Sequence, residues 1–225
     1  MALQKSKTDF ILGIQIQKHL EKLGLHTPII KEKLEVSDDI KIQKIELLTK
    51  EILETLGLDL KDDSLIETPN RIAKMFVQED FWGLKPENFP KNTVIENKMK
   101  VDEMVKISNI KVVSRCEHHI EKILGYAYIA YLPKDSVIGL SKISRVVDYF
   151  CKRPQVQERI TEQIFHALQF MLGTDNIAVY INAEHLCMTT RGIEDPDAKT
   201  STSKLGGIFK SDPAARAEFF QLLKA

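Results

Sequence analysis

The sequence predicts an α+β fold: a body of paired strands with a helix pair, preceded by an N-terminal helical arm. Three observations predict it. The first third spaces its apolar residues at helical intervals. After Pro90 the pattern changes to β-rich segments. Between those segments and a later alternating stretch lie two consecutive amphipathic segments, the helix pair.

Taken in order, Phe10, Ile11, Ile14 and Leu20 suggest a short amphipathic helix ending near Gly24, and His26-Thr27-Pro28 is a break. A second helix runs from about Asp39 to Leu56, with Ile42, Ile45, Leu48, Ile52 and Leu56 on one face and Gly57 as its stop. A third opens at Thr68-Pro69 and stops near Gly83. Thr68 suits an N-cap, and Pro69 suits the first turn because its missing N–H had no partner there. Val105, Ile107 and Val112 fall in β-rich segments, and Gly125 to Leu132 is another strand. Pro133 to Ser136 is a turn. Helices follow from about Ser141 to Lys152 and from Pro154 to Gly173. Asn176 to Ala183 alternates as a strand, and Ser211-Asp212-Pro213 opens a last short helix. This divides the chain into residues 1–57, a helical arm, and 58–225, an α+β body.

Composition narrows the function. Lys+Arg and Asp+Glu stand at 32 each, so no global charge draws the chain to nucleic acid or an acidic membrane. An anionic ligand must be held by a local basic cluster. The 3 cysteines, Cys116, Cys151 and Cys187, are too few and odd for a disulfide framework, which favours a reducing, cytoplasmic setting with thiols free to bind metal. Lys5, Lys7, Asp9 and Lys18 interrupt the N-terminus, so no signal peptide is expected. No apolar run reaches about 18 residues, so no membrane span is expected either.

The chemistry concentrates in two segments. Cys116-Glu117-His118-His119 follows a strand, and Cys-x-x-His spacing lets two side chains reach one ion from a tight turn. In His185-Leu186-Cys187, residues two apart on a strand would face one pocket. Read alone, either segment is more simply a buried cysteine and a hydrogen-bonded histidine. Together they hold three of the 6 histidines and two of the 3 cysteines. Thiolates and imidazole suit zinc, and three protein ligands with an open fourth position mark a catalytic site. The pattern leaves open which of His118, His119 and His185 is a ligand. The histidines left over could move protons. Cys151, among apolar neighbours, reads as core.

Two weaker constellations accompany it. Ser141, Lys142 and Arg145 open a helix, with the two cations neighbours on its surface, which is a natural phosphate site. Arg191 and Arg71 could join them, although exposed cations commonly just solvate helices. Gln155-Val156-Gln157-Glu158 could read the edge of a base, although first-turn acidity alone complements a helix dipole.

At these residues the sequence resembles the GTP cyclohydrolase I family. The segments that carry the resemblance are Glu67 to Met75, Cys116 to His119, Gly139 to Ile143, Arg153 to Arg159, and His185 to Cys187 with Arg191 to Ile193. It covers roughly Leu58 to the C-terminus. It implies the tunnelling fold, an antiparallel sheet with two adjacent helices. It implies opening of the GTP imidazole ring, release of C8 as formate and reclosure to 7,8-dihydroneopterin triphosphate, the first step towards folate or tetrahydrobiopterin. Carried over by position, Cys116, His119 and Cys187 would hold Zn2+, with His118 and His185 transferring protons. Glu158 would accept from guanine N1–H and the 2-amino group, with Gln157 beside the base or sugar. Ser141, Lys142, Arg145 and Arg191 would hold the triphosphate, joined by Arg71 from a neighbouring subunit and by Lys74. A homodecamer with sites at subunit interfaces is the implied assembly. No pattern carries over to Met1–Val36, and cooperativity or regulation is left open there. Two other readings stand beside this one: another tunnelling-fold purine or pterin enzyme, and a non-catalytic zinc-containing nucleotide-binding module.

Overall fold

The computed structural model describes residues 5–221 and 223. Helix α1, Phe10–Lys22, begins where the Asp9 carboxylate accepts from the Leu12 N–H at 3.0 Å. The face it buries is Gly13, Ile16 and Leu20, while Phe10 and Ile11 of the expected apolar face point to solvent. Gly13 decides this. A Cβ there would stand 2.0 Å from the Pro86 carbonyl oxygen, so only glycine lets the helix seat so closely. Ile16 and Leu20 thereby join the main core.

A short turn of helix, α2 (Lys31–Leu34), leads to α3 (Asp38–Thr55), capped by the Ser37 hydroxyl. Of the face predicted from its periodicity, Ile42 is buried, but Leu48, Ile52 and Leu56 are exposed in the single chain. Helix α4 (Thr68–Lys74) carries Pro69 in its first turn, as expected. Thr68 is not its cap. Turns from Asp62 onward already deliver the chain in helical conformation, with the Thr68 N–H donating to the Leu65 carbonyl, and the residue at the cap is Glu67. Met75–Asp80 then widen into a π-turn, closed by the Phe81 N–H on the Phe76 carbonyl, before a 3-10 turn at Trp82–Leu84.

The strands follow: β1 (Val94–Glu96), β2 (Val105–Cys116), β3 (Lys122–Tyr131) and β4 (Ser136–Ile138). Helix α5 (Leu140–Cys151), β5 (Pro154–Gln155), α6 (Gln157–Leu172) and β6 (Ile177–His185) come next. The chain closes with α7 (Leu186–Thr189), β7 (Thr200–Leu205), α8 (Ile208–Ser211) and α9 (Pro213–Gln221). Strands β1 and β4 pair by themselves. The main sheet runs β5-β2-β3-β6-β7, antiparallel except where β5 joins β2. Pro154 therefore starts an edge strand and not a helix, and Val156, still extended at the cap, hands the chain to α6. Proline is suited to the edge because it has no N–H to give a ladder.

Alternation places the core. Ile110, Val112 and Cys116 of β2, Ile123, Ala127, Ile129 and Tyr131 of β3, and Ile177, Val179 and Ile181 of β6 pack in one cluster. Helices α5 and α6 cover that cluster through Ile143, Val146, Val147 and Phe150, and Ile160, Ile164 and Leu168. The antiparallel sheet with an adjacent helix pair is the architecture expected. A smaller cluster of Ala130, Ala178, Phe209 and Phe219 seals α8 and α9 onto the sheet.

A buried ion pair braces the end of β2. Arg115 donates through Nε at 2.9 Å and Nη2 at 2.6 Å to the Asp80 carboxylate on the π-turn. Both side chains are only 11–12% exposed. Asp80→Ala would strand the guanidinium, and we expect a loss of about 3–5 kcal/mol in urea-unfolding stability. A loss under about 1 kcal/mol would mean that water or another acceptor reaches Arg115.

Candidate metal centre and surrounding pocket

The β2–β3 connection is a tight turn that starts at the candidate ligand Cys116. The Ile120 N–H donates to the Cys116 carbonyl at 2.8 Å, and the Cys116 N–H donates to the Glu121 carbonyl at 2.7 Å. This forces Ile120 to φ 60°, a left-handed conformation that a β-branched residue avoids. The strain is held from outside. Arg115 Nη1 donates to the Ile120 carbonyl at 3.0 Å, and Arg159 forms a two-pronged ion pair with Glu117 inside the turn. The Glu117 N–H donates to the Gln155 carbonyl at 3.0 Å. Such over-determined strain fixes where Cys116, His118 and His119 stand.

The second segment comes from β6. The register pairs Ile123 with His185, so the end of β6 lies beside the start of β3 and next to the turn. His185 is the last strand residue. Cys187 is not on the strand, as two-residue alternation had suggested, but one residue into the helical turn α7. The change of conformation after His185 swings the thiol towards Cys116. The result is a cluster in which Cys116 Sγ, a ring nitrogen of His119 and Cys187 Sγ lie within 4.8 Å of one another. Among the described residues it is the one group of three or more such side chains placed to hold a metal ion. Of the three histidines left open, His119 is therefore the one that joins the two thiols. His118 stands beside them, its Nδ1 3.7 Å from Cys116 Sγ.

Electrostatics fit a cation. Burial, and after it the neighbouring Cys116, push the Cys187 thiol up, because two thiolates repel when nothing positive lies between them. A divalent ion removes that opposition. Soft sulfur with imidazole is a donor set for a transition metal and not for calcium or magnesium. Burial holds His185 below the usual imidazole range, opposed by the nearby Glu158 carboxylate. Cys151, wholly buried, is pushed up to about 12 by burial first and Asp148 second, and belongs to the core as expected.

Behind His185 lies a polar network that the sequence reading did not find. The Gln157 side chain is 1% exposed for the whole residue. Its Nε2 has three acceptors for two hydrogens, the Thr200 carbonyl (2.9 Å), the Thr202 hydroxyl (3.1 Å) and the Ile181 carbonyl (3.2 Å), so one N–H is shared between two of them. Its Oε1 lies 2.8 Å from His185 Nε2. Thr161 Oγ1 donates to the Gln157 carbonyl at 3.0 Å and sits 2.7 Å from Thr202 Oγ1. Glu158, next along α6, faces outward and is exposed.

The other predicted residues are dispersed in the single chain. Ser141, Lys142 and Arg145 lie on the first turns of α5, and Arg71 and Lys74 lie exposed on α4. Burial, then Arg145, Lys7 and Lys91, lower Lys142, which marks a local concentration of positive charge. Arg191 is exposed just past α7, near enough to act on the Cys187 thiol. Gln155, expected near a base edge, braces the turn through its carbonyl instead, whereas Arg159 and Glu117, which also brace it, escaped the sequence reading as site residues. Their only signal was their place inside the matched Arg153–Arg159 and Cys116–His119 segments.

The sequence model of GTP cyclohydrolase I matches residues 45–224. Curated relatives are similar over nearly the whole chain. The GTP cyclohydrolase 1 of Photobacterium profundum is 55% identical over 92% of this chain and 95% of its own. That of Aeromonas hydrophila is 53% identical over 94% and 96%, and that of Shewanella loihica 54% over 91% and 95%. A dihydroneopterin aldolase from Burkholderia thailendensis, solved bound to guanine, is a remote structural neighbour: TM-score 0.32, 12% identity, covering 49% of this chain and 98% of that one. Likeness at that level carries no weight for the site.

Proposed function

Since the chain belongs to the GTP cyclohydrolase I family, we propose that the pocket around Cys116, His119 and Cys187 is where it converts GTP to 7,8-dihydroneopterin triphosphate. The reaction is the family's own: a hydrolase opens the imidazole ring, releases formate and recloses the ring on ribose carbons, the first step of folate synthesis. The observation that carries the assignment of the site is the cluster of two thiols and an imidazole with His118 and His185 left beside it.

In this reading Cys116, His119 and Cys187 hold zinc, whose choice over other ions rests on the softness of the donor set. When bound, zinc supplies Lewis-acid activation of water at neutral pH. The protein's own groups do the rest. C8 of a neutral purine is a poor electrophile, and protonation at N7 makes it a better one. His118 and His185 are the proton donors and acceptors within reach of the cluster. Glu158 accepts from guanine N1–H and the 2-amino group, a donor pair that adenine lacks. The family pattern also sets Gln157 beside the base or sugar, although its side-chain oxygen is turned to His185. Ser141, Lys142, Arg145 and Arg191 bind the triphosphate, with Arg71 and Lys74 supplied by a neighbouring subunit.

That last assignment goes with a homo-oligomer, in family fashion a decamer with sites between subunits. The exposure of Glu158, Arg191 and Arg71 in one chain supports it, since a base anchor needs cover to discriminate. Residues 58–225 would form the catalytic domain, with 1–57 as an arm used in assembly. No helix among the described residues is long and apolar enough to cross a membrane, and a biosynthetic role at this step suits the cytoplasm.

The test is GTP turnover by the purified, zinc-loaded protein, with formate and the ultraviolet spectrum of the product measured together. Formate and pterin in equal amounts are expected. Formate without pterin would reduce the proposal to ring opening alone. No formate from folded, metal-loaded protein would favour a sister enzyme or a binding module.

A further inference from the structure

We infer that Gln157 acts on the reaction through His185 and not on the substrate, and that Thr202 and Thr161 fix it in that role. The inference rests on the reading of His185 as a proton-transfer residue.

The argument is one of donors and acceptors. The Gln157 amide could in principle sit either way round, but its surroundings permit one orientation. The group facing Thr200 and Ile181 meets two backbone carbonyls, which only accept. That group must be the NH2. Oε1 is then left towards His185, at 2.8 Å from Nε2, and a carbonyl oxygen there can only accept. His185 Nε2 must carry a hydrogen in either charge state of the ring. The nitrogen available to the reaction is therefore Nδ1, and the ring is held at a fixed angle by the bond behind it.

The hydroxyls complete the chain in one direction. Thr161 spends its hydrogen on the Gln157 carbonyl, so Thr202 donates to Thr161 Oγ1 and accepts from Gln157 Nε2. Every polar atom of this relay has a partner, and Gln157 and Thr161 are almost without exposure. With both NH2 hydrogens committed and its oxygen turned to His185 in a site this buried, the side chain is out of reach of a base or sugar. The network also ties α6, which carries Gln157 and Thr161, to β7, which carries Thr202, and to β6, which carries His185.

The test compares Gln157→Leu, Thr202→Val and Thr202→Ser in the zinc-loaded full chain, reading kcat and KM for formate release from GTP together with metal content. Gln157→Leu is expected to lower kcat about 10–100-fold, the usual range for a group that orients a site residue, with KM within about twofold and metal retained. Thr202→Val is expected to lose about tenfold by removing the hydroxyl at constant shape, and Thr202→Ser to recover most of that. The valine variant carries the test if the buried leucine prevents folding. In a His185→Ala background both substitutions should lose most of their effect, because a residue that acts through another has nothing left to act on. A raised KM at unchanged kcat in Gln157→Leu would place Gln157 on the substrate and overturn the inference. So would full losses persisting in the His185→Ala background. Normal turnover by His185→Ala itself would overturn the proton-transfer reading beneath it, whereas an inactive His185→Ala beside fully active Gln157→Leu and Thr202→Val would sink only the positioning role.

Discussion

Cys187→Ser is expected to lose metal and GTP turnover together. A serine hydroxyl keeps its proton near neutral pH and is a hard oxygen donor, so it replaces neither the charge nor the softness of a thiolate. With three protein ligands, removal of one leaves a Cys–His pair, too few to retain a zinc ion through dialysis. We expect bound metal to fall to about a tenth or less and formate release to fall about a thousand-fold or more. Atomic emission on dialysed protein and a formate assay measure both. Cys151→Ala is the control, because that thiol is buried in the core away from the cluster, and it should keep its metal. Full turnover by a metal-free Cys187→Ser protein would remove the metal from the mechanism.

Glu158→Gln is expected to lower kcat/KM for GTP by about a hundred- to a thousand-fold while leaving the metal in place. The substitution keeps the shape but sets an amide N–H against a guanine donor, so one bond is lost and one repulsion is gained. The effect depends on cover. In a single chain Glu158 is open to water, where such a mismatch costs little, and a full loss would therefore also support closure of the pocket by a neighbouring subunit. Unchanged kcat/KM would dismiss the carboxylate as the base anchor.

Much of this architecture was legible in the residues. The helices that announce themselves by periodicity are present, with Leu20, with Ile143, Val146, Val147 and Phe150, and with Ile160, Ile164 and Leu168 buried, although the expected first-helix residues Phe10 and Ile11 are exposed and the last of these helices starts at Gln157 and not at Pro154. The strands with apolar alternation are likewise present. What escaped has physical reasons. Strand β7 reads Thr-Ser-Thr-Ser-Lys-Leu, and it is a strand because β6 offers it an edge, not because of any apolar face. Strands β1 and β4 are three residues each, below the length at which a period can be seen. The apolar face of α3 was visible, yet a period names no partner, and most of that face finds none within its own chain. At the site, the cysteines and histidines were visible as types. The spacing argument for His185 and Cys187 reached the right pairing for the wrong reason, since α7 and not strand alternation turns the thiol inward. The amide of Gln157 could not be oriented until the carbonyls of Ile181 and Thr200 were in view.

The placement of the metal cluster bears on how the chain comes to be folded. Cys116 closes β2, and Cys187 follows β6, far along the sequence, so the two thiols meet only after β3 has paired with both neighbours in register. A slip of one residue on either side would turn the inward residues outward and separate the sulfurs. An ion held between them would bind the native arrangement more tightly than the unfolded chain, and by mass action it would draw the equilibrium towards correctly aligned strands. Metal supply and durability of the sheet would in this way be one quantity: a chelator strong enough to strip the site would also weaken the seam of three strands on which the rest of the molecule is laid.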